Sequence, residues 1–179
     1  MRLLLVALLL AGCATPPRRA SGPHPTRARP GRARAPRPAP HAVPAAALVE
    51  RALFQRGFRF GTDGTVAALR GYLADNGRPV PPGQARPGDV VFFDLGTGGC
   101  QDHVGLAESV DPDGRITFRE LRDGQVRTSY VHAGEPCARR DGQGRILNSF
   151  LRPKRPDDPP ATRYFAGELL CAVLRPQRR

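Results

Sequence analysis

Four cysteines (Cys13, Cys100, Cys137, Cys171) and four histidines (His24, His41, His103, His132) are the side chains of this 179-residue chain best suited to chemistry. A thiolate is a nucleophile or a metal ligand, and an imidazole moves protons near neutral pH. His24 and His41 stand among prolines and arginines, and His132 stands at the end of a strand-like run. His103 differs by its context. It opens HVGLAESV (103–110), an alternating stretch that ends at Asp111-Pro112-Asp113-Gly114, a strong turn signal. RITFREL (115–121) answers it, so a hairpin would bring Glu120 near His103. A carboxylate beside an imidazole fixes its tautomer and orientation. Glu108 is a weaker partner, because an odd offset within the strand of His103 points it to the opposite face. Cys100 lies three residues before His103, a spacing that can chelate together with Cys137. A fourth ligand and the paired cysteines of common zinc folds are missing, so neither a metal nor a cofactor is assigned.

The elements that must position these residues follow from the apolar period. AAALVERALFQR (45–56) repeats at helical spacing through Leu48, Val49, Leu53 and Phe54. A second helix is expected over 65–76, with Thr62 or Asp63 as N-cap and Gly77 as a left-handed C-cap. The period then shortens to that of strands: 88–94, 103–110, 115–121, 126–132 and 145–152. RYFAGELLCAVL (163–174) reads as a closing helix. This is an α+β order, with N-terminal helices packed on a small antiparallel sheet and a C-terminal helix added.

The chain begins MRLLLVALLLAGC. Nine apolar residues are too few to cross a bilayer as a helix, which takes about 20. They suit a secretory signal, and Leu10-Ala11-Gly12-Cys13 resembles the lipobox of bacterial lipoproteins. That resemblance implies cleavage after residue 12, a lipid on Cys13, and, with Ala14 next, an outer-membrane anchor facing the periplasm. Residues 14–44 hold nine Pro and seven Arg with no aromatic residue, the composition of an extended, solvated tether. Export implies an oxidising compartment. Cys100 and Cys137, both in loops flanking strands, are then expected to pair, with Cys171 a buried free thiol on the last helix.

RPGDVVFFD followed by DHVGLAESVDPDGRITFREL (86–94 and 102–121) resembles the CHAP domain and its NlpC-type relatives, papain-like cysteine amidases and peptidases that act on peptidoglycan. The resemblance covers about 45–152 and leaves 153–179 as a Pro-rich segment and helix. It implies His103 as base, Glu120 as its orienting residue, and a nucleophilic Cys at the start of the second helix. At that point the chain reads Thr62-Asp63-Gly64-Thr65, with Thr65 at the cysteine position, or Gly64 after a one-residue slip. A threonine hydroxyl is hardly ionised at neutral pH and needs a stronger base than imidazole. Where that family often has Asn, this chain has Arg122.

The net charge of +12 at first suggests nucleic acid. Residues 1–44, however, hold eight Arg and no acid, while 45–179 hold 20 basic and 16 acidic residues. The folded part therefore carries little excess, and nucleic acid is set aside. Three readings remain: a degenerate CHAP-like envelope lipoprotein that binds peptidoglycan or an envelope partner; an active cell-wall amidase or endopeptidase using His103 with Thr65 or Cys100; and a structural adaptor. The expected partners are the membrane, through the lipid, and peptidoglycan or muropeptides, with the chain itself monomeric.

Overall fold

The structure, a computed structural model, describes residues 44–59, 64–97 and 99–177. Cys13, the lipobox and almost all of the tether lie outside the described residues. So do Thr62 and Asp63.

The two expected helices form. Helix α1 (Ala47–Gln55) buries Val49 and Leu53, and α2 (Val66–Asn76) buries Val66, Leu69 and Leu73, the three- and four-residue spacing of one helical face. The N-cap of α2 is Thr65, a correction to the expected Thr62 or Asp63. Its backbone is extended and its Oγ1 accepts the Ala68 N–H at 3.1 Å. Such a cap contributes about 1 kcal/mol. Gly77 is also corrected: it is extended (φ −144°), not left-handed, and begins strand β1 (Gly77–Pro79) directly. It is needed there for close approach, since a Cβ would stand 2.6 Å from the Leu73 carbonyl oxygen and 2.9 Å from that of Arg175.

Strands β2 (Val90–Phe93), β3 (His103–Val110), β4 (Ile116–Arg122) and β5 (Gln125–Val131) run as successive antiparallel neighbours. The expected C-terminal helix is overturned. Residues 166–169 make a single helical turn, α3 (Ala166–Leu169), and the chain continues as β6 (Leu170–Pro176) between β1 and β2. The six-stranded order is β1-β6-β2-β3-β4-β5, antiparallel at every pairing. A short apolar run such as Leu169–Leu174 has no period that separates a buried helix from an inserted strand.

The expected strand over 145–152 is reduced to isolated bridges at Ile146 and Phe150. Its side chains take over part of the ladder. Ser149 N–H donates to the Tyr130 carbonyl (2.9 Å), and Ser149 Oγ accepts from Tyr130 N–H (3.0 Å).

Both faces of the sheet are covered, and all four residues of β2 are buried. On one face Val90, Phe92 and Val104 pack with the buried residues of α1 and α2. On the other, Val91, Phe93, Ala107, Phe118 and Val131 pack with Leu151, Ala166 and Leu169. Strand alternation decides which residue serves which core.

Two links hold β6 in place. Buried Asp89, just before β2, accepts from Arg175 Nε and from its terminal nitrogen at 2.8 Å each, and from Arg86 N–H at 2.8 Å. Cys171 of β6 forms a disulfide with Cys100, with Cα atoms 5.7 Å apart. This corrects the expected Cys100–Cys137 pair and the free Cys171. Once β6 lies beside β2, Cys171 falls next to the loop that leaves β2, a neighbourhood that a C-terminal helix would not create. In the loop-closure picture a bridge across this separation contributes about 4 kcal/mol.

Candidate functional site

His103 begins β3 opposite Phe93, and Glu120 in β4 pairs with Gly105. Residues 103, 105 and 120 therefore share a face, the face of Phe93 and Phe118. His103 is 5% exposed and Glu120 is fully buried. His103 Nε2 bonds to Glu120 Oε2. Acceptance by a carboxylate puts the proton of the neutral ring on Nε2 and leaves Nδ1 as the nitrogen that can take one. The Phe93 ring lies beside the imidazole, with centroids 6.2 Å apart.

Glu120 is held from three sides. Ser129 Oγ in β5 donates to Oε1 at 2.6 Å, and a terminal nitrogen of Arg122 lies 3.4 Å from the same oxygen. Burial pushes the carboxyl up. The hydrogen bonds from His103 and Ser129, with the charges of His103 and Arg122, outweigh it and hold the group below the ordinary glutamate value. Arg122 in turn donates to the Phe150 carbonyl at 2.6 Å, which ties the pair to the segment crossing that face of the sheet. Glu108, by contrast, is exposed and lies 3.4 Å from Arg119, an ordinary surface charge pair.

The sequence thus found two members of this chain of bonds, His103 and Glu120, and missed Ser129. The signal was available: in QVRTSYV Ser129 alternates with Val131, placing a hydroxyl on the inward face. Asn148 was missed as well. It is fully buried and satisfied, accepting from His132 N–H (2.9 Å) and donating to the Glu135 and Ala138 carbonyls (2.8 Å each), so it sets the 132–148 loop.

Thr65 is not brought to this pair. The buried residues of α2 share a core with Val104, whereas His103 points to the other side of β3. The sheet therefore lies between the α2 core and the imidazole. Thr65 is exposed, its oxygen engaged by the Ala68 amide, and among the described residues it shares no hydrogen bond with His103. Gly64 offers no nucleophilic atom. Cys100, the other expected nucleophile, is held in its disulfide with Cys171. The papain-like requirement of a nucleophile at a helix N-terminus facing the imidazole is thus unmet by either residue. Among the described residues no three His, Cys, Asp or Glu side chains gather as metal donors. A cleft of about 350 Å³ between α2 and β6, lined by Ala67, Gly71 and Leu174, does not include His103 or Glu120.

Comparison with protein-family models, with curated proteins and with solved structures gives no match.

Proposed function

We propose that this chain is an envelope lipoprotein whose α+β domain is a degenerate, CHAP-like peptidoglycan-binding module of papain-like descent, anchored through Cys13 in the outer membrane. The observation that carries the reading is the buried His103–Glu120–Ser129 chain, to which, among the described residues, neither the Thr65 hydroxyl nor the disulfide-bonded Cys100 is joined. On this reading His103 and Glu120 are a base and its orienting carboxylate left without the cysteine thiol they would activate. Losing the nucleophile from such a unit costs factors near 10⁶ in rate. The resemblance of 86–121 to the cell-wall amidases supplies the ligand class, and the tether supplies reach from the membrane to the wall.

The test is to incubate the purified full-length protein with muropeptides, following binding by calorimetry and cleavage by chromatography, with and without a thiol reductant. Binding without cleavage in both conditions is the expected result. Turnover abolished by His103→Ala would overturn the degenerate reading, and turnover gained only on reduction would return Cys100 as nucleophile. Absence of both binding and cleavage favours the adaptor.

A further inference from the structure

The charge excess of the folded part is confined to one stretch. Residues 139–163 carry seven basic and three acidic residues, while the rest of 45–179 holds 13 of each. The same stretch carries half-buried Phe150, and Tyr164 and Phe165 follow it directly, the Phe150 and Phe165 rings 4.7 Å apart. Exposed cations lie over these rings. The Arg139 guanidinium stands 5.0 Å from the Phe150 centroid. Lys154 Nζ, from the only lysine of the chain, stands 5.7 Å from Phe150 and 5.0 Å from Tyr164.

Three of the five other cations of the stretch are ion-paired. Arg152 pairs with Asp158 (3.1 Å), Arg163 with Asp94 (3.5 Å) and Arg145 with Asp141 (2.9 Å). Among the described residues no carboxylate lies within ion-pair reach of Arg139 or Lys154. An aromatic ring fixes a cation in place while leaving its outward N–H groups to a ligand, which lowers the ordering cost of binding. Both cations stand against the same Phe150 ring and both are exposed.

We propose that Arg139 and Lys154, held over Phe150 and Tyr164, form a docking strip for a carboxylate-bearing peptide. Resting on the function proposed above, that peptide is the acidic stem of peptidoglycan. Two features disfavour other polyanions. Among the described residues the exposed large hydrophobic side chains, Phe54 and Val126, lie outside the strip, so the strip presents no apolar wedge to a lipid surface. The cations cover the rings on which nucleic-acid bases would stack.

The test compares the full-length protein with the Arg139→Gln/Lys154→Gln double variant and with Lys154→Arg. Binding to purified sacculi, to poly-L-glutamate and to phosphatidylglycerol vesicles is measured at low and high salt, with thermal melting as the folding control. The double variant should lose about tenfold in affinity for sacculi and poly-glutamate with unchanged melting. Lys154→Arg should bind as the parent does, and salt should weaken the parent's binding. Poly-glutamate binding that depends on the pair, without sacculus binding, upholds the strip and removes the peptidoglycan reading. Sacculus binding indifferent to the pair does the reverse. Failure of both probes, or a pair-dependent effect confined to vesicles, overturns the strip.

Discussion

At the scale of single residues, Glu120 is where most of the buried polarity converges. Three side chains, from β3, β4 and β5, direct donors at its two oxygens. Glu120→Ala would leave those donors facing an empty site, and stability should fall by about 3–5 kcal/mol, the cost of breaking a buried pair from one side. Ser129→Ala removes one bond to a charged group and should cost about 1.5–3 kcal/mol. The pH dependence has a definite sign. The carboxyl is held below its ordinary value in the folded protein. Its contribution is therefore complete above the unfolded glutamate range and is lost as pH falls through the lowered folded value. Denaturant melts of the parent and of Glu120→Gln at a series of pH values test this. Their stability difference should shrink once pH drops below about 4. A difference that stays constant into strong acid would contradict the assignment.

At the scale of elements, helix α2 and strand β3 separate the two halves of the expected active site. Placing a cysteine at the helix start does not repair it: Thr65→Cys should show no thiol-dependent muropeptide cleavage, because His103 faces the other core. Cleavage gained by that single change would mean that the helix and the imidazole share a face. Thr65→Ala, for its part, should cost about 1 kcal/mol as a lost cap and leave the His103 ring resonances in NMR where they were. The β6 insertion is checked through its bridge. Cys171→Ser should lower stability by about 2–4 kcal/mol relative to the oxidised parent, and peptide mapping of the parent should recover Cys100 joined to Cys171.

At the scale of the molecule, the buried clusters of the described residues are built from residues 46–173. The extent to which this architecture was legible follows from period. Val49 and Leu53, and Val66, Leu69 and Leu73, mark helices because each buries one face only. The 103–122 hairpin is legible because its faces differ and Asp113-Gly114 breaks the run. Leu169–Leu174 lacks that contrast because the run is apolar throughout and β6 is flanked by a strand on each side. In 145–152 the strand pattern was present, but Ser149 supplies by side chain what a strand supplies by backbone.

Local sequence by itself determined the two helices, the hairpin and the pairing of His103 with Glu120, because each depends on residues a few turns or one tight turn apart. Tertiary structure alone decided that β6 enters between β1 and β2. From that insertion come the Cys100–Cys171 bridge and the Asp89–Arg175 pair. The packing of α2 on the Val104 side of β3 set Thr65 apart from His103. These outcomes rest on contacts between segments far apart in the chain. Which face a helix covers there depends on how the whole apolar surface is shared out between two cores.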